Sequence, residues 1–304
     1  MQKSSNHAHM MLFFTTLLWG ATFPIVRNFG GSGNPIIFVL LRFVLATLVM
    51  LPFVYKKLKL TDIWILKYGM LLGGVNSCIF LFQTIALQTL DSPRAAFLAS
   101  IYVILVPFLL PLFGFRKPRI GEVIAALICL YGVYILSGAR IAALHIGDLW
   151  IIASTLCMAL SLIIIEHVGN KIQDVLLFSF YQIIFTAVLP LIILVVHPVT
   201  IPITANFWWS LIYCAIFATT LAFVLQVKYQ PVVGASKTAL IFSIEAVFAS
   251  GCAWLMGEKI NRQTLIGGGI ILLSVVLIDV MRILHEQARD SRLMNKVRRR
   301  KKRY

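Results

Sequence analysis

Ten apolar runs, each long enough to cross a lipid bilayer, occupy most of this chain. They lie at roughly 9–29, 35–55, 63–87, 92–114, 119–137, 147–167, 174–196, 207–229, 234–255 and 264–284. A helix rises about 1.5 Å per residue, so about 20 apolar residues cross the hydrocarbon layer. Inside that layer no water satisfies backbone N–H and C=O groups, which leaves helices and closed barrels as the spanning structures. Runs of this length select helices, so the expected fold is an all-α integral membrane protein with ten transmembrane helices. The breaks carry turn chemistry: Gly30-Gly31-Ser32-Gly33-Asn34-Pro35, Asp91-Ser92-Pro93, Lys117-Pro118 and His197-Pro198. The first run lacks a small-residue cleavage site and is followed by further runs, so it reads as a retained span.

Hydrophobic residues make up 60% of the 304 and charged residues 12%, against roughly 45–50% and about 25% in soluble domains. The formal net charge of +16 resembles that of a nucleic-acid binder, but no stacking or groove-reading module accompanies it. Much of it sits between Arg282 and Arg303. The rest is biased to one set of loops: Lys56, Lys57 and Lys59; Arg116, Lys117 and Arg119; Lys171; Lys228. The alternate loops carry Arg27, Arg94, Arg140, Lys259 and Arg262. Cytoplasmic loops are the richer in Lys and Arg, which places both termini in the cytoplasm and the basic tail against anionic lipid.

The five cysteines, Cys78, Cys129, Cys157, Cys214 and Cys252, lie within apolar runs and have no metal-ligand spacing. No phosphate-binding Gly-Lys-Ser/Thr pattern occurs; Gly267-Gly268-Gly269 lies inside an apolar run and suits close helix packing, with spans five and ten as the pair. Neither His-Glu-x-x-His nor Gly-x-Ser-x-Gly occurs, so an intramembrane enzyme is disfavoured. No cofactor or metal is expected, and any work is driven by a gradient.

The chain also repeats. A shift of 143 residues lays Gln83 on Gln226, Ala96 on Ala239, Ser100 on Ser243 and Ile101 on Ile244. It also lays Leu112 on Leu255, Gly114 on Gly257 and Arg119 on Arg262. An odd number of spans per half inserts the second half upside down, and inverted repeats are the architecture of alternating-access transporters.

Several residues resemble a known family. Leu18-Trp19-Gly20-Ala21-Thr22-Phe23 is similar to the Trp-Gly-x-x-Phe opening of EamA-type proteins, and Arg42-Phe43 to that family's Arg-Phe pair. Ile244-Glu245-Ala246-Val247-Phe248-Ala249, followed by Gly257-Glu258-Lys259, resembles its Glu-Pro-Val-Phe-Ala…Gly-Glu-Arg signature, with Ala246 in place of Pro. In the first half Val106-Pro107-Phe108 and Gly114 occupy the matching place, with Phe115 where the family usually has Glu; Gly147-Asp148 also fits. The resemblance runs from about Phe13 to about Ile278. It implies the EamA family of the drug/metabolite transporter superfamily: a five-plus-five inverted repeat around a central cavity in a bacterial inner membrane. The first repeat then covers 1–140, the second 145–284 and the basic tail 285–304. Members mostly export amino acids or related metabolites, and some import compounds such as S-adenosylmethionine. A flippase for a lipid-linked substrate is the reading from another class, and the chain is either a monomer or a homodimer.

Glu245 leads the candidate site residues. It lies mid-span, where a bare carboxylate costs about 2.5 kcal/mol or more. It can carry a proton, bind a substrate amine, or donate a structural hydrogen bond. Asn76 and Gln83 share a helix face with Phe80 between them, and the shift pairs Asn76 with Thr219 and Gln83 with Gln226. Thr219, Phe223 and Gln226 form the matching stripe, either a cavity wall or interhelical hydrogen bonds. Trp19 sits inside span one and Tyr102 is the counterpart of Glu245 under the shift. Arg42, inside span two, either binds a substrate carboxylate or is held structurally. Arg94 and Lys237, repeat counterparts at the starts of spans four and nine, read as a gate or as snorkelling cations. Tyr181 and Gln182 are weaker candidates. The resemblance places the solute between spans one, three, four, six, eight and nine.

Overall fold

The computed structural model describes residues 2–30, 34–115, 117–118, 120–136, 145–196, 204–277 and 280–281. The basic tail, the Gly31–Gly33 loop, Arg116, Arg119, Arg140 and His197-Pro198 lie outside the described residues. Among the described residues all regular structure is helical. Among the described residues eight helices are long and apolar enough to cross a membrane. They are α1 (Asn6–Asn28), α2 (Pro35–Leu60), α3 (Ile63–Ala86), α4 (Ser92–Phe113), α6 (Ile146–Lys171), α7 (Val175–Val196), α8 (Ala205–Val233) and α9 (Ala235–Leu255). The described parts of the fifth and tenth apolar runs are also helical, over α5 (Ile120–Leu136) and α10 (Arg262–Leu277).

The turn residues between the runs cap the helices. Asn34 accepts the Ile36 amide at 2.8 Å with Pro35 in the first turn of α2, and Asp62 accepts the Ile65 amide at 2.7 Å at the start of α3. Asp174 caps α7 through the Leu177 amide at 3.1 Å and binds the Lys57 ammonium at 2.6 Å. Burial works against ionising Asp174, but the Lys57 hydrogen bond and the Leu177 and Leu176 amides outweigh it and hold the carboxyl below its usual range. The stabilisation is therefore present at neutral pH and lost as pH falls through the lowered value, below about 4. Asp174→Ala is expected to cost about 1 kcal/mol in detergent thermal unfolding at pH 7, mostly the lost cap, and progressively less as pH falls through the lowered value.

Close helix approach rests on a few glycines. A Cβ at Gly73 of α3 would lie 2.5 Å from Phe185 Cβ and 2.9 Å from the Gln182 carbonyl of α7. Gly73→Ala must push these helices apart, at an expected cost of about 1–3 kcal/mol, read as a lower unfolding temperature. Gly20 explains the glycine after Trp19: a Cβ there would meet Phe248 Cβ at 2.8 Å and the Glu245 carbonyl at 3.1 Å. Gly132 brings α5 onto α10, where a Cβ would meet Ile271 Cγ1 at 2.9 Å and the Gly267 carbonyl at 3.0 Å. Spans five and ten thus pack within one molecule.

Turns interrupt α1 at Ala21 and α7 at Ala187, and a matching pair of breaks interrupts α4 and α9. α4 turns at Ser100–Ile101 and resumes at Tyr102; α9 turns at Ile244 and resumes at Glu245. Ala246, in the place of the family's proline, does not prevent the second break. Serines at both breaks bond back to their own helices, Ser100 Oγ to the Ala96 carbonyl at 3.0 Å and Ser243 Oγ to the Leu240 carbonyl at 2.7 Å, a pattern that bends helices. The two helices cross at this level, where Ser100 Oγ also reaches the Ser243 carbonyl at 3.5 Å. Both also end alike. Gly114 and Gly257 take positive φ of 79° and 88°, and the next amides, Phe115 and Glu258, bond back to Leu110 and Ala253.

Candidate solute site

The breaks in α4 and α9 open onto a narrow cavity, with about 50 Å³ in which the centre of a water-sized sphere fits. Six helices contribute. Trp19, Thr22 and Phe23 come from α1, and Asn76, Ile79, Phe80 and Gln83 from α3. Ala99 and Tyr102 flank the α4 break, and Glu245 sits at the α9 break. Ser154, Thr155, Met158 and Ser161 line the wall from α6, and Phe223 and Gln226 from α8.

The polar groups differ in how they are held. Among the described residues the Glu245 carboxyl has no hydrogen-bond partner, and buried Tyr102 Oη and Asn76 Nδ2 have none either. Asn76 Oδ1 accepts from Ser161 at 3.3 Å. Gln226 Nε2 donates to Gln230 Oε1 at 3.1 Å, and Gln230 donates to the Leu162 carbonyl at 2.6 Å. Trp19 spends its indole N–H on the Ala218 carbonyl at 2.8 Å and packs edge-on to Phe242 and Phe223, leaving a ring as wall.

Seven of the nine residues singled out from the sequence line this cavity: Trp19, Asn76, Gln83, Tyr102, Phe223, Gln226 and Glu245. Arg42 and Thr219 do not; they bind each other behind the wall. A π-helical turn over Ile216–Leu221 sends the Ala222 amide to Phe217 and Thr219, freeing the Ala218 carbonyl. That carbonyl takes Trp19 Nε1 and Arg42 Nη2 at 3.2 Å, and Arg42 Nε donates to Thr219 Oγ1 at 2.7 Å. The guanidinium lies 4.4 Å over the Phe80 ring, so this buried cation is held by a carbonyl, a hydroxyl and a π face. The α6 stripe of Ser154, Thr155, Met158 and Ser161 was missed, although its spacing places those residues on one helix face.

The weaker candidates lie elsewhere. Tyr181 bonds Thr61 at 2.9 Å, Gln182 is fully buried beside Gly73, and Lys237 is exposed. Arg94 is neither snorkelling nor in the cavity. Its Nε and Nη2 grip both oxygens of fully buried Asp148, at 2.8 and 2.7 Å. On the same membrane face Glu258 accepts from Ser92 N and Oγ at 3.0 and 2.7 Å and meets Arg27 at 3.6 Å. Arg27 also pairs with Asp91 at 2.8 Å. The other face carries Lys57–Asp174, and Glu166 accepts the Ala235 amide at 2.7 Å, as Glu258 accepts that of Ser92.

Comparison with known proteins agrees with this architecture. A model of the EamA-like transporter family matches residues 7–138 and again 145–279. An uncharacterized transporter of Archaeoglobus fulgidus is 28% identical over 278 residues, covering 90% of this chain and 86% of the relative. A solved crystal structure superposes with a TM-score of 0.68 at 16% identity, over 90% of this chain and 96% of the other, and shows a shared fold. The chain belongs to the EamA-like transporter family and is a multi-pass membrane transporter of the drug/metabolite type.

Proposed function

We propose that the protein is a secondary transporter that exports amino acids or related small metabolites by alternating access, with protons coupled through Glu245. The observation that carries this reading is the Glu245 carboxyl, set at a helix break in a six-helix cavity with no hydrogen-bond partner among the described residues. A carboxyl at membrane depth is costly to leave uncompensated and marks a pathway by default. Either a proton or a solute amine compensates it, and exchange of one for the other couples two gradients. The matching breaks 143 residues apart support two inverted units, 1–140 and 145–284, that rock about the crossing of α4 and α9. Ten spans in that arrangement put both termini on one side, and the Lys/Arg bias of the loops assigns that side to the cytoplasm. The Arg94–Asp148 and Glu258–Ser92 contacts join the two units on one face and form the closed gate there.

The test is uptake of radiolabelled amino acids and nucleosides into proteoliposomes, with and without a pH gradient. Saturable uptake of amino acids, raised severalfold by the gradient, is expected. Saturable uptake of nucleosides alone replaces the solute class with a nucleoside-like one, and no uptake of any solute contradicts the reading.

A further inference from the structure

The charge inventory of the cavity constrains the solute further than the family does. Among the described residues Glu245 is the one carboxylate in the lining, and no Lys, Arg or His lines it. Arg42, the cation behind the wall, is turned away: two of its nitrogens are bonded to Thr219 and Ala218, and the Phe80 ring stands against its guanidinium. Free backbone amides would also favour an anion, yet four of those at the breaks are spent within their turns. Val103 and Ile104 bond to the Ser100 and Ile101 carbonyls, and Val247 and Phe248 both bond to Ile244. What remains is one carboxyl, a set of aromatic faces, the Gln83 amide, and two buried neutral donors without acceptors, Tyr102 Oη and Asn76 Nδ2.

We propose that this cavity selects a positively charged organic amine with a neutral hydrogen-bond acceptor, and excludes solutes of net negative charge. The proposal rests on the reading of the cavity as the solute site. The ammonium sits at Glu245 against the faces of Trp19 and Phe223, where both charge and π attraction favour a cation. The acceptor, a carbonyl or ether oxygen, takes the orphaned protons of Tyr102 and Asn76. An anion meets an uncompensated carboxylate in a low-dielectric site and has no cation to pair with. A zwitterion lies between, because neutral donors alone hold its carboxylate.

The test uses one side-chain body in three charge states: the amide, the free amino acid and the N-acetyl acid of phenylalanine, and the same three forms of tryptophan and leucine. Binding to the purified protein in nanodiscs is read by thermal shift and by competition against the radiolabelled amides. The amides are expected to bind at least about tenfold more tightly than the matching N-acetyl acids, with the free amino acids between. Glu245→Gln should collapse that order to within about twofold, while Tyr102→Phe weakens the amides and keeps the order. Equal or tighter binding of the N-acetyl acids, an order that survives Glu245→Gln, or no binding of any amide up to about 10 mM overturns the proposal. Parallel flux assays separate it from the transport reading. Charge-ordered binding without flux sinks transport alone, and flux without charge order sinks this proposal alone.

Discussion

Glu245→Gln is expected to remove the gradient-driven part of solute flux entirely, turning a severalfold stimulation by a pH gradient into none. The amide fills the same space at the α9 break and keeps a polar group in the cavity, but it cannot take up or release a proton. Tyr102, its neighbour across the cavity, remains as wall. Because the carboxyl has no hydrogen-bond partner among the described residues, no protein contact is lost with it. The variant should therefore purify as a monodisperse protein with an unfolding temperature close to that of the wild type. Loss of flux with retention of fold marks a working group. Parallel loss of both would return Glu245 to a packing role.

Arg94→Ala is expected to carry the largest cost in stability, about 3–5 kcal/mol. Asp148 is fully buried, and Arg94 grips both of its oxygens. Truncating the arginine leaves that carboxylate with the His145 amide, at 2.9 Å, in its place. The penalty is mostly that of an unpaired buried charge, so the Arg94→Ala, Asp148→Ala double variant should recover a large part of it. A lysine at 94 supplies charge without the two-pronged geometry and should fall between. Detergent unfolding temperatures of the wild type, Arg94→Ala, Asp148→Ala and the double variant form the cycle that measures the coupling.

Bilayer thickness made the long helices legible in the sequence, because run length alone sets what can span. The glycines at 114 and 257 were legible as a repeat, and their positive φ supplies the physical reason that both halves keep them. The cavity stripe on α3 followed from helical spacing. On α8 the same spacing failed at Thr219. An α-helix places residues 219, 223 and 226 on one face, but the wider turn over Ile216–Leu221 rotates the earlier residue away from it. Thr219 consequently meets Arg42, and the cavity keeps only Phe223 and Gln226. Nothing local in Ile216–Leu221 announces such a turn; it is stabilised by Trp19 and Arg42, about 180–200 residues away in sequence. The pairing of Arg94 with Asp148 and of Glu258 with Ser92 was hidden for the same reason. Each partner reads alone as an ordinary loop charge, and only the packing of α4 against α6 and α9 brings them together. The serines of α6 were passed over because Ser and Thr in apolar helices usually bond back to their own carbonyls.

The most direct test of alternating access is solvent accessibility at Ala99, which lines the cavity beside the α4 break. Ala99→Cys, made in a protein whose five native cysteines are replaced, is treated in sealed vesicles with a membrane-impermeant maleimide from one face or the other. The account predicts labelling from both faces, slowed by bound solute, and faster labelling from the Arg94 face when Arg94→Ala weakens the gate. Labelling from one face only, at a rate that neither solute nor the gate substitution changes, would contradict it.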